Sequence, residues 1–148
     1  MWKEALVELF ERDIYRVKEE LLAYEDERDM WLLQANITNT AGNLALHLIG
    51  NLNHFIGATL GNSGYVRTRE LEFSSRNVPR AEIIANLENT AKIVKSSILS
   101  LSETNFSQNF PLEKDGKILS MTYMLLHLLT HLDYHLGQIN YHRRMLLR

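Results

Sequence analysis

Residues 127–144 read HLLTHLDYHLGQINYHRR, and their spacing predicts one amphipathic helix. With His131 set at 0° and a turn of about 100° per residue, Met124, His135, Leu128, Met121, Ile139 and Leu132 fall within about 100° of one another. So broad an apolar face has to be covered by other helices. His131 and His135, four residues apart on that face, leave the same side about 6 Å apart along the axis. This spacing suits two ligands of one metal ion. His127 falls near -40°, at the margin of the face, so it makes a poorer partner for His131 than His135 does.

Working outward, the remaining chain supplies three more helical patterns. Residues 2–24 carry Leu6, Leu9, Phe10, Ile14, Val17, Leu21 and Leu22 in an i, i+3, i+4, i+7 stripe with charges opposite. A second helix is expected over residues 40–60, after the N-cap candidates in NITNT and ending at Gly61 as a left-handed cap. Residues 62–78 are polar, lack a sustained period and read as a long connection, with at most a short strand-like piece between Tyr65 and Phe73. Pro79 suits the first turn of a third helix, whose stripe is Ile83, Ile84, Leu87, Ala91, Val94 and Ile98. Pro111 and Asp115-Gly116 mark a second breaker, and Ser120 can cap a last helix running to the C-terminus. The expected fold is all-α, a four-helix bundle with a long connection between helices 2 and 3.

Composition bounds the function classes. A chain of 148 residues with 45% hydrophobic content reads as one domain, 1–148, able to bury roughly 70% of its unfolded surface. The net charge of -2, with both signs interleaved, leaves no electrostatic footprint for nucleic acid or an anionic membrane. Cysteine is absent, which excludes disulfides, thiolate metal sites and a cysteine nucleophile together. The N-terminal stretch is amphipathic instead of a basic region followed by an apolar one, and no apolar run reaches the roughly 20 residues of a membrane span. A cytoplasmic location is expected, in which the glycosylation patterns at Asn36 and Asn105 are chance matches.

On the second helix His47, Asn51 and His54 lie within about 40° of one another. His47 and His54 are about 10 Å apart axially, too far to share an ion, so only one of them can join His131 and His135. A lone inward histidine is ordinarily a core residue satisfied by hydrogen bonds. Here that reading has to desolvate several imidazoles in one small core. Neither HExxH nor Glu-x-x-His occurs, which disfavours zincin and di-iron sites, and GNSG at residues 61–64 lacks the spacing of a nucleophile elbow.

Three stretches together, RDIYRVKEELLAY, NTAGNLALHLIGNLNHFIGATLGNSGYVRTRELEF and HLDYHLGQINYHRR, resemble the DinB family, the DinB/YfiT-like metalloenzymes, over nearly the full chain. The resemblance implies that His47, with the HxxxH pair His131 and His135 ahead of Gly-Gln, ligates the metal. The family's frequent arginine after the pair is Leu136 here, which places any substrate contact at that position in doubt.

Three imidazoles leave positions open on a divalent ion, as in catalytic zinc sites. Zinc or nickel leads as the cofactor, ahead of iron or manganese. The resemblance further implies a metal-dependent transferase joining a low-molecular-weight thiol to an electrophile, with metal-dependent hydrolysis as the neighbouring reading. A non-enzymatic dimeric bundle with a structural or vacant site is the reading from a different class. The expected partners are a small-molecule substrate and a second copy of the chain, because many relatives form homodimers and the first and last helices leave apolar surface over. Gln138 and Asn51 are candidates for orienting ligands. Arg67, Arg69 and Arg76 are candidates for meeting an anion, and Tyr134, Tyr141 and His142-Arg143-Arg144 read as boundary residues with favourable charge at a helix end. No residue stands out as a general base.

Overall fold

A computed structural model describes residues 2–33 and 36–146. Its α-helices are α1 (Trp2–Leu22), α2 (Ala41–Leu52), α3 (Arg69–Ser74), α4 (Arg80–Leu99) and α5 (Met121–Met145). Two 3-10 turns, Glu27–Trp31 and Glu103–Ser107, sit in the connections. The only β pairing among the described residues is two isolated bridges, Asn109 with Ser120 and Lys114 with Lys117.

The apolar stripes form as their periodicity requires. Leu6, Phe10, Ile14, Val17 and Leu21 of α1 are buried and meet chiefly α4 and then α5. Ile83, Leu87, Ala91, Val94 and Ile98 bury the facing side of α4, and Met124, Leu128, Leu132 and Ile139 do so on α5. These residues join one hydrophobic cluster. The caps also form where the hydroxyls stand: the Thr40 side chain accepts from the Asn43 N–H at 3.1 Å, and Ser120 accepts from the Tyr123 N–H at 3.1 Å. Each satisfies an amide that the first helical turn leaves without a carbonyl. Among the described residues, no helix is long and apolar enough to cross a membrane.

Three expectations require correction. The connection 62–78 is not without structure, and its strand-like piece is instead α3. This helix has six residues and buries only Glu72, so it leaves no periodic apolar trace for a sequence reading to detect. The second helix does not run unbroken to residue 60, because α2 passes into a π-turn at Asn53–Ala58. Asn53 Nδ2 there donates to the Ile49 carbonyl and to Thr90 Oγ1, each at 2.8 Å, a side-chain competitor for the helical ladder. Nor is Gly61 the left-handed residue, since Asn62 takes that role with φ 50°. Gly61 is required by proximity: a Cβ there would lie 2.8 Å from the Ser97 Cβ of α4.

His142 is also not a boundary residue. It is 3% exposed, its Nδ1 accepts from the Tyr24 hydroxyl at 2.7 Å, and its Nε2–H donates to the Leu32 carbonyl at 2.7 Å. One ring thereby ties α5 to the chain that follows α1. His142→Ala orphans the buried Tyr24 hydroxyl and takes the donor from the Leu32 carbonyl, and the expected loss is about 1–3 kcal/mol of unfolding free energy. Urea unfolding measures it, and an unchanged midpoint overturns the assignment.

Candidate metal centre

His47, in the middle of α2, and His131 and His135, one turn apart on α5, converge on one point. Their candidate ligand nitrogens all lie within 4.8 Å of one another, a grouping that could hold a metal ion. The Nε2 atom of His131 is 3.2 Å from that of His47 and 3.1 Å from that of His135. Two nitrogens at about 2.0–2.1 Å from one tetrahedral ion are about 3.3–3.4 Å apart, close to these separations. The rings stand edge-on to one another at 77°, 86° and 89°, so three nitrogen lone pairs meet without the rings colliding.

Proton accounting tests the fit. His47 Nδ1 is reached by the donor Arg67 Nη2 at 3.4 Å and by the acceptor Glu72 Oε1 at 3.0 Å. The shorter contact assigns it a hydrogen that it donates to Glu72, and His135 Nδ1 likewise donates to Gln138 Oε1 at 2.6 Å. A neutral imidazole carries a single N–H, so both of their Nε2 atoms are bare acceptors. An Nε2–H on His131 could serve only one of them linearly, leaving another lone pair facing it. A cation at the meeting point satisfies all three, and the residues therefore fit a divalent ion. On the far side of its ring, the buried His131 Nδ1 has no hydrogen-bond partner among the described residues.

The electrostatics keep the rings of His131 and His135 neutral. Burial first, then the proximity of His135 and His47, pushes the His131 pKa down to about 3. Burial lowers that of His135 as well, against the opposing hydrogen bond to Gln138. Neutral imidazole is the form that coordinates.

Glu72 is the residue that sequence reasoning missed. It arrives from α3, 25 positions from His47, and is 6% exposed. Burial alone would raise its pKa, but hydrogen bonds from Arg67 and His47 outweigh that and hold it below the ordinary value. Arg67 grips it in a fork, Nε to Oε2 and Nη2 to Oε1, both at 2.8 Å. Gly50, one turn beyond His47, makes the space, because a Cβ there would overlap the Glu72 carboxylate. The available signal was a glycine on the histidine face of α2 together with an acidic residue in the long connection.

The other candidates separate. His54 follows the π-turn's change of register and stacks edge-on against Phe55, at a centroid distance of 4.7 Å, outside the cluster. The His127 ring stacks near His131 at 6.3 Å and contributes no ligand atom to the cluster. Asn51 is buried, and its Oδ1 has no hydrogen-bond partner among the described residues. Of the loop arginines, Arg67 is committed to Glu72, while Arg76 bonds Asn43 Oδ1 at 2.8 Å and the carbonyls of Phe73 and Ser75. Arg69 lies over the Phe73 ring at 5.2 Å, and that ring packs against His47 at 4.9 Å. Leu136 is buried in the hydrophobic cluster, so its position offers no polar group to a substrate. Tyr134 and Tyr141 are exposed.

Residues 2–148 match the model of a protein family described as "Protein of unknown function (DUF1572)". No curated protein matches the chain.

Proposed function

The chain belongs to that family, and from this premise we propose a DinB-like metal-dependent enzyme, a single four-helix-bundle domain whose ion is held by His47, His131 and His135. The observation that carries the reading is the convergence of three imidazoles through Nε2. Among the described residues no carboxylate joins them in the cluster, which leaves positions for an incoming ligand. The all-nitrogen donor set favours zinc or nickel over iron or manganese. When bound, such an ion acts as a Lewis acid toward an oxygen or sulfur ligand.

The protein's own residues hold and orient. Gln138 and Glu72 fix the two outer rings through Nδ1, and the Nδ1 side of the His131 ring is buried. His131 and His135 are only half-buried, which leaves the α5 side of the site open to a substrate. With no cysteine in the chain, a thiol reaction takes its sulfur from a cosubstrate. Transfer of a low-molecular-weight thiol to an electrophile is the activity proposed, with metal-assisted hydrolysis as the neighbouring chemistry.

The test is metal analysis after chelation and reloading, followed by a screen of small thiols against a generic electrophile. One ion per chain with metal-dependent thiol consumption is expected. Full metal loading with neither thiol transfer nor hydrolysis favours a non-enzymatic bundle.

Assembly as a homodimer is proposed from the exposed aromatic residues Trp2 and Tyr15 of α1 and Tyr123, Tyr134 and Tyr141 of α5. Light scattering at micromolar concentration is expected to return twice the chain mass, and a monomer throughout refutes it.

A further inference from the structure

We propose that Glu72 is a positioning residue for the metal centre and that, through it, metal occupancy is coupled to the docking of α3. The inference rests on the three-histidine reading above and deepens it.

The coupling follows from where the contacts lie. Helix α3 packs chiefly on α2, through the Phe73 ring against His47 and through a set of polar contacts. Asn43 Nδ2 donates to the carbonyls of Glu72 and Ser75, at 3.0 and 2.9 Å. Glu72 inserts its carboxylate into the gap left by Gly50 and accepts from His47 Nδ1–H. A helix of six residues with one buried side chain has little apolar area to hold it in place, so that side chain's hydrogen bonds dominate its docking.

His47 has two ring nitrogens and one proton. With the proton on Nδ1, where Glu72 requires it, Nε2 presents its lone pair to the ion. With α3 undocked, the proton is free to occupy Nε2, the ligand atom, and the ring is free to rotate. In the other direction, an ion on Nε2 withdraws electron density from the ring and makes Nδ1–H a stronger donor to a carboxylate. Each event therefore favours the other, and linkage requires the two effects to be equal in magnitude. Arg67 completes the arrangement by holding both carboxylate oxygens at 2.8 Å, which stops Glu72 from turning away. Because α3 also walls a groove of 560 Å³ against α4, lined by Leu71, Glu72, Asn86 and Thr90 among others, loading the ion fixes one wall of that groove.

The experiment uses the full chain with Zn²⁺ alone as the probe. Zinc affinity is measured for the parent, Glu72→Gln and Glu72→Ala. Hydrogen exchange over residues 69–75 is followed with and without zinc, and the His47 tautomer is read from ring ¹⁵N shifts in the metal-free state. Affinity is expected to fall about 10–100-fold in Glu72→Ala, the usual cost of losing such a partner. It should fall less in Glu72→Gln, which keeps an acceptor but not the charge. Protection of 69–75 in the parent should rise on zinc loading by a comparable factor, and His47 should lose its Nδ1–H preference in Glu72→Ala. The tautomer would not respond to a role confined to stability. If the parent binds zinc and loses it in His131→Ala, yet Glu72→Ala binds as tightly or protection is indifferent to zinc, the coupling is wrong and the centre stands. If the parent binds no zinc, both are wrong. Should Glu72→Ala fail to fold, the exchange measurement on the parent still decides.

Discussion

His47→Ala, His131→Ala and His135→Ala should each emerge from chelation and reloading with most of the metal gone. His131 is the middle of the three, with its Nε2 within 3.2 Å of both neighbours, and its loss leaves two nitrogens from different helices with nothing between them. The other two removals leave a pair that cannot by itself complete the binding geometry. The affinity loss should exceed the roughly 10–100-fold typical of an outer partner. His127→Ala and His142→Ala serve as controls and should retain the ion, even though His142→Ala unfolds more easily. Metal stoichiometry of the five variants beside the parent is the measurement. Full retention in His47→Ala and His135→Ala would falsify the three-histidine site and the enzyme reading that depends on it.

The metal-free protein should lose stability as pH falls from 6.5 toward 5. His131 and His135 have folded-state pKa values below the ordinary 6.5, that of His131 at about 3. The unfolded chain therefore binds protons that the folded chain refuses. Stability contributed by these groups is fully present above pH 6.5 and is lost progressively down to the folded values. One refused proton gives a slope of up to about 1.4 kcal/mol per pH unit. Between pH 6.5 and 5 His131 should account for about 1–2 kcal/mol, after discounting for the solvent at one side of its ring. Glu72 has the same sign, but its pKa lies below the ordinary carboxylate value of 4.5, so this window isolates the histidines. Zinc should be retained somewhat below pH 6.5 for the same reason, lower than free imidazole would allow. Denaturant unfolding at stepped pH, with His131→Asn for comparison, makes the test. Equal, flat profiles for the two proteins overturn the assignment.

The four long helices, the cap at Ser120, a cap within residues 36–40 and the inward side of α5 were legible in the sequence, because periodicity and capping chemistry act between residues a few positions apart. The same locality explains the errors. A helix of six residues has no period to read, the π-turn at Asn53 depends on Thr90 of another helix, and Gly61 is glycine because Ser97 approaches it. Likewise, nothing adjacent to His142 announces the Tyr24 hydroxyl and the Leu32 carbonyl that bury it.

The site divides along the same line. Sequence by itself determined that His131 and His135 share one helix face and that either His47 or His54, but not both, could meet them, since a helix sets those directions and separations. The resemblance had pointed to His47, and the tertiary structure brings His47 and not His54 to the pair, makes the Nε2 atoms converge and stands a carboxylate from a distant short helix behind one of them. Those outcomes depend on how α2, α3 and α5 pack, and on a space opened by the missing side chain of Gly50. No local pattern in the chain encodes that arrangement.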